Sequence, residues 1–483
     1  AWNRSDGLRV NLIFEVWNPA LTEEEQQETA AIMDRYDKWF SGRGRRMDFL
    51  GTTFAQAAQA EKLFQAAEQG LRAGDGQALG SMKQVLALSP KHKKALRYLA
   101  DNAFDRGQES EGLEYLRRLA AEAPTHAPTQ YRLAVVEEQI GMPERARDAY
   151  ARCIKAAPGN MLSYLYAGYF FEAQGDSEAA AQVYSLGAEI DARMTTLHGS
   201  PDAEPETARR SKAAFDSIAT KMLGLHAGAT KGVPRIEEAK WVQHLEGFSG
   251  YREADQKPHE FYIPGIRPLR YLTRGDMLWA DAVEAAFDDI RAELLAALPH
   301  ADEAGRPYLD AGQQLGPEFD PINGTMNWTA LDLYRDGKPN EALLKSFPKT
   351  LAALGAAPLV CVGDEPFEVF FSLLKPHQHI PPHFGLSNHG ITVHLPLIVP
   401  KDCQIRVGQE WRPWVEGELI AFDDSFDHEA RNDSDDLRVV LIFEVWHPDL
   451  TGDEVEAVRA SFRARAQWLQ ARRLPEVLED GKE

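Results

Sequence analysis

Four short stretches near the C-terminal end of the chain place chemically active side chains on otherwise apolar segments. In "HIPPHFGLSN", His383 follows two prolines, which impose a rigid, extended approach. In "AFDDSFDHEA", His428 comes just after a strand-like run and a short acidic turn. In "DLRVVLIFEVW", Arg438 shares a period-two face with Val440 and Ile442, so it is expected to point into an apolar barrel. His394 in "ITVHLPLI" is again a single polar residue on an apolar strand. A buried guanidinium needs an anionic partner, and none is evident on its own stretch, so a ligand carboxylate is the natural candidate. Any one inward histidine would ordinarily be a satisfied core residue. Two histidines and an inward arginine in one small barrel instead suggest a non-haem iron centre using 2-oxoglutarate, because imidazole suits Fe(II) and the arginine suits the co-substrate's distal carboxylate.

The elements that must hold these residues begin at about 366. "FEVFFSLL", "GITVHLPLIV", "CQIRVG", "ELIAF" and "LRVVLIFEVW" are short, rich in β-branched and aromatic residues, and separated by Pro, Gly, Asn and Asp turns. Such a series predicts a small jelly roll. Over about 260–455 the chain also resembles the aspartyl/asparaginyl β-hydroxylases, through "FYIPGI", "NWTALDLYRDGK", "FSLLKPHQHIPPHFGLSN", "HLPLIVP" and "GELIAFDDSFDHEARNDSDDLRVVLIFEVWHPDLT". That resemblance implies a double-stranded β-helix (jelly-roll, cupin-like) catalytic domain with His383 and His428 as the iron ligands. It implies Arg438 and Ser372 on the distal carboxylate of 2-oxoglutarate, His394 at its metal-proximal end, and Trp328 lining the pocket. The implied reaction consumes O2 and 2-oxoglutarate, places a hydroxyl on an unactivated carbon and leaves succinate and CO2. The expected target is the β-carbon of an Asp/Asn-type residue in a peptide or protein.

Two features need weighing beside the resemblance, the first of which supports it, and one departure qualifies it. Most enzymes of this chemistry carry a carboxylate two residues after the first histidine; here that residue is Gly385. The family resembles the exception that works with two histidines, although a small residue there also makes room for a halide in other oxygenases. In "HQHIPPH", His377 is read as surface-facing and His379 as standing behind a ligand. Many family members carry arginines where this chain has Gly390 and Thr392, which puts recognition of an acidic substrate in doubt, with His389 or Arg406 as the residues able to compensate.

Upstream, Pro90, Pro124 and Pro158 recur every 34 residues, as do Gly107, Gly141 and Gly175. Ala78, Gly112, Ala146 and Ala180, and Met82, Leu116, Tyr150 and Tyr184, keep the same period. This pattern resembles the tetratricopeptide repeat, a solenoid whose groove is expected to recruit the substrate. Several bacterial hydroxylases of the family resemble this chain in placing helical repeats first. The expected organisation is 1–46, a partial copy of a hydroxylase C-terminus; 47–195, repeats; 196–258, linker and helices; 259–455, catalytic jelly roll; and 456–483, a helix and tail.

The 483 residues include 44% hydrophobic and 26% charged residues, as in a globular protein, with a net charge of −21. That charge argues against nucleic acid and anionic membranes as partners. Cys153, Cys361 and Cys403 are too few and too scattered for a disulfide framework, which fits a reducing cytoplasm. Residues 1–22 match 430–451 at sixteen of twenty-two positions, with Arg9 at the position of Arg438. The first copy has no upstream histidine pair. It is expected to be the severed end of a preceding hydroxylase unit, able to promote self-association as an unpaired strand. Two other readings stand beside the hydroxylase: an inactive repeat scaffold, against which the intact His383, His428 and Arg438 speak, and a hydroxylase of a lipid or small molecule.

Overall fold

The computed structural model describes residues 54–72, 77–311, 313 and 315–479. The expected partial copy at 1–46 and its self-association lie outside them. The chain forms two compact units, one ending at Ala214 and taking in the segment from Arg473, the other spanning Phe215–Arg472.

The first unit is an array of helical hairpins: α1 (Phe54–Arg72), α2 (Ala78–Leu88), α3 (Lys93–Asp105), α4 (Glu109–Glu122), α5 (Ala127–Gln139), α6 (Pro143–Ala156), α7 (Met161–Ala173) and α8 (Ser177–Ile190). The period of 34 has a steric origin. Gly107, Gly141 and Gly175 sit at the hairpin turns with φ of 70°, 75° and 80°, a region that strains any residue with a Cβ. Met82, Leu116, Tyr150 and Tyr184 are buried at equivalent positions. The Tyr184 hydroxyl donates to Glu172 at 2.9 Å, and Tyr150 repeats that bond to Glu138 one period earlier.

In the second unit, the principal strands are β1 (Trp328–Arg335), β2 (Val369–Leu374), β3 (Gln378–His383), β4 (Gly390–Ile398), β5 (Cys403–Val407), β6 (Glu410–Pro413), β7 (Ile420–Phe422), β8 (His428–Asn432) and β9 (Arg438–Trp446). They form two antiparallel sheets. The larger runs β7-β4-β9-β2-β1 and continues to a short strand at Arg306–Pro307; the smaller runs β6-β5-β8-β3. Strict alternation decides which side chains enter the barrel. Val439, Leu441, Phe443 and Val445 of β9 pack outward in a core with Ile290, Leu294 and Leu354 of flanking helices. Val440 faces the other way, into a core it shares with Ile380, Ile405 and Ala430 of the smaller sheet. The chain thus folds as helical repeats followed by a β-rich jelly roll. Residues 215–258 pack with the long helix α9 (Gly452–Ala471) through Ile236, Trp241 and Val458. Ser461 of α9 bonds the indole of Trp241 at 3.2 Å and His226 at 2.8 Å, fixing that helix along one rim of the barrel.

Candidate active site

His383 ends β3 and His428 begins β8, and the two are direct cross-strand partners. Their rings lie 4.0 Å apart between centroids, inclined at 48°. Each ring is tied to the backbone two residues earlier: His383 Nδ1 donates to the Pro381 carbonyl at 2.8 Å, and His428 Nδ1 to the Phe426 carbonyl at 2.9 Å. A carbonyl only accepts, so both protons sit on Nδ1 and both Nε2 lone pairs are left free. Burial depresses both imidazole pKa values, that of His428 well below the usual range, which keeps the rings neutral. Neutral imidazoles with a fixed tautomer are what a metal requires of histidine ligands. Among the described residues, no group of three or more His, Cys, Asp or Glu side chains is arranged to hold a metal ion.

Arg438 is 1% exposed, on the inward face of β9. Its Nη1 reaches Ser372 Oγ and O only at 3.3 and 3.4 Å, and its Nε has no partner. The guanidinium lies over Trp414, 4.8 Å from the ring centroid, and no carboxylate among the described residues acts on it. Burial lowers its pKa to about 10. Ser372 is the cross-strand partner of Val440, and its Oγ accepts the Trp328 indole proton at 3.0 Å. His394 has an unpartnered Nδ1, and burial followed by the charge of Arg438 takes its pKa to about 3. All six predicted site residues line one cavity of about 880 Å³.

The other histidines divide. His377 is 63% exposed and faces Asp435 at 3.0 Å. His379 bonds Glu429 at 2.7 Å, beside His428 in the chain. Arg406 cannot serve a substrate, because its charge is committed to Glu429 at 2.5 Å and Asp427 at 2.9 Å. His389 does line the cavity.

Sequence reasoning missed an acidic part of the same wall. Asp424, Glu368 and Glu444 all line the cavity. Burial, then neighbouring carboxylates, raises Glu368 and Asp424 to about 7 and Glu444 well above its usual range. Glu444 was legible in principle, since it continues the inward period of Arg438, Val440 and Ile442. Asp424 also explains Gly385: a Cβ there would stand 2.3 Å from the Asp424 carboxylate, which fills the space a side chain at 385 would enter.

Residues 284–448 match the sequence profile of the family described as Aspartyl/Asparaginyl beta-hydroxylase, and residues 129–160 that of the Tetratricopeptide repeat. The sheet unit therefore carries a domain of the aspartyl/asparaginyl β-hydroxylase family, in a chain that also carries tetratricopeptide repeats. "Aspartyl/asparaginyl beta-hydroxylase" of Mus musculus is 24% identical over 462 residues, covering 90% of this chain and 59% of that protein. The protein of the same name from Homo sapiens is 26% identical over 373 residues, covering 76% of this chain and 45% of that one. "Ornithine lipid ester-linked acyl 2-hydroxylase" of Rhizobium tropici is 32% identical over 173 residues, 35% of this chain and 58% of that one. The chain thus spans about half the length of the relatives it matches. No described helix is long and apolar enough to cross a membrane.

Proposed function

We propose that this chain is an Fe(II)- and 2-oxoglutarate-dependent dioxygenase that hydroxylates an unactivated carbon of a peptide or protein recruited by its helical repeats. One observation carries the reading: a fully buried guanidinium with no anionic partner lines the cavity that also holds two neutral histidines with free Nε2 atoms. The residues fit the absent groups. His383 and His428 would hold the metal, their tautomers set by the two backbone carbonyls. Bound iron would supply O2 activation driven by oxidative decarboxylation of 2-oxoglutarate to succinate and CO2.

Arg438 and Ser372 bind the distal carboxylate, which gives the guanidinium the charge it lacks. The Trp328 indole occupies a lone pair of Ser372 Oγ and so directs the hydroxyl proton toward the incoming carboxylate. His394 serves the metal-proximal end, its ring held edge-on to Phe422 at 5.1 Å. Ile380, Ile405 and Phe422 exclude water from the charge pair, which strengthens it.

The test is succinate formation by iron-loaded protein, alongside calorimetric binding of Fe(II) and 2-oxoglutarate. His383→Ala and His428→Ala should each abolish turnover and weaken metal binding at least tenfold while circular dichroism is unchanged. Undiminished turnover in either variant refutes the assignment.

A further inference from the structure

The acidic wall has no part in the reaction as proposed, yet it shares the cavity with the reacting centre. Glu444 lies three inward positions beyond Arg438 on β9, opposite Thr392 of β4. Its Oε2 stands 3.5 Å from where a Cβ on Gly390 would be. Asp424 belongs to the turn between β7 and β8, and Glu368 immediately precedes β2. Tyr308 is within electrostatic reach of all three, and burial followed by those carboxylates pushes its hydroxyl pKa up.

Of the described cations only Arg306 acts on any of these three carboxyls, and its effect on Glu368 is smaller than that of burial and of Asp332 and Asp336. The influences on the Glu444 carboxyl are burial, Asp424 and Glu368, with no lysine or arginine among them. Arg306 lies near Glu368 but is bonded to Asp332 at 2.7 and 3.2 Å. Asp336 adds another carboxylate to the lining. The arginines that line the cavity are Arg438, Arg459 and Arg463. Arg459 is bonded to Glu456 at 2.9 Å, and none of the three acts on the Glu444 carboxyl.

Two independent features point to the kind of ligand this wall would take. Tyr308 stacks on Trp328 at 4.0 Å and 20°, with Phe370 at 5.4 Å, so aromatic surface adjoins the carboxylates. Aromatic faces attract organic cations. His389, 9% exposed, lines the cavity with its Nδ1 unpartnered, and burial takes its pKa to about 4, so the ring is neutral and adds no positive charge. Burial favours the protonated form of these carboxyls while the cavity is empty, and an incoming cation is the partner that stabilises their ionised form.

We propose that the group this cavity accepts beside the reacting carbon is an ammonium or guanidinium, carried on a basic side chain of a peptide. The inference rests on the hydroxylase reading and replaces the Asp/Asn-type target expected from the resemblance, because an acidic side chain would enter a wall of three carboxylates.

The test uses metal-free full-length protein, so it does not depend on turnover. Binding of the Nα-acetyl amides of arginine, lysine, norleucine and aspartate, and of free agmatine and cadaverine, is measured by calorimetry. The arginine or lysine amide should bind at least tenfold tighter than norleucine amide, with aspartate amide weakest. Glu444→Gln, of the same shape, should cut the preference for the cation at least fivefold, and Glu368→Gln provides a second variant should the first fail to fold. Equal or tighter binding of norleucine or aspartate amide, or no binding of any amide, overturns the proposal. Agmatine or cadaverine binding tighter than the amides overturns the assignment to a peptide. Absence of 2-oxoglutarate turnover would instead remove the hydroxylase reading and leave these binding results standing.

Discussion

Replacing Arg438 by methionine should make the ligand-free protein more stable and unable to bind 2-oxoglutarate. Burial lowers the guanidinium pKa from its usual range to about 10. At 1.36 kcal/mol per pKa unit, holding that charge in the empty site costs about 3 kcal/mol. The compensations are small. The two contacts to Ser372 are long, at 3.3 and 3.4 Å, and the cation over Trp414 contributes about 1 kcal/mol. Methionine leaves a small void, worth about 1 kcal/mol of instability. The expected net gain is about 1–2 kcal/mol, which raises the melting temperature by about 2–8 °C for a unit of this size. Saturating 2-oxoglutarate should reverse the order, since only the parent protein gains ligand stabilisation; at one hundred times Kd that gain is about 2.7 kcal/mol. Urea unfolding of metal-free protein at pH 7, with and without 2-oxoglutarate, measures both terms. A methionine variant that is less stable when empty, with 2-oxoglutarate affinity unchanged, would show that Arg438 is a structural residue.

Gly385→Asp would supply a carboxylate as third ligand on paper, but its Cβ would meet the Asp424 carboxylate at 2.3 Å. It should lower both melting temperature and succinate yield, and a faster enzyme would refute the steric argument. Glu368→Gln should alter stability in a pH-dependent way. The folded-state pKa of about 7 lies above the ordinary 4.5, so the folded protein holds more protons across that window and the parent loses stability as pH rises through it. The variant should therefore be more stable than the parent by about 1–3 kcal/mol at pH 8 and by little at pH 4.5; urea midpoints that shift equally at both pH values would contradict this. In the repeats, Gly168→Ala places a Cβ 2.5 Å from the Tyr184 ring. It should destabilise that hairpin by about 1–3 kcal/mol, read as a lower first transition in thermal unfolding.

Period two and period 34 made the core of this architecture readable before any coordinates. Alternation along "LRVVLIFEVW" correctly turned Arg438 inward, because one face of β9 must be apolar against the helices and the other faces the barrel. The hairpin glycines were readable because only glycine tolerates their φ at no steric cost. The acidic wall was not readable in the same way. Glu368, Asp424 and Glu444 lie far apart in the chain, and what makes them a group is the closure of the barrel. Arg406 was misjudged for the same reason: its neighbours Asp427 and Glu429 come from β8 and the turn before it, across the smaller sheet. Local pattern reports which face a residue takes, whereas charge balance depends on what the fold brings opposite.

The cavity wall is divided between two kinds of backbone. His383, His428, Ser372, His394 and Arg438 stand on paired strands, where a change of register would flip whole rows of side chains at once. Asp424 occupies a turn and Tyr308 and Glu368 lie just outside strands, while Glu444 alone of the acidic wall is itself paired, opposite Thr392 near the end of β9. Substitutions at that second group leave the strand pairing beneath the first group untouched. A lineage carrying this barrel can therefore change what its rim accepts by drift at a few positions while the strand-borne His383, His428 and Arg438 are inherited unchanged.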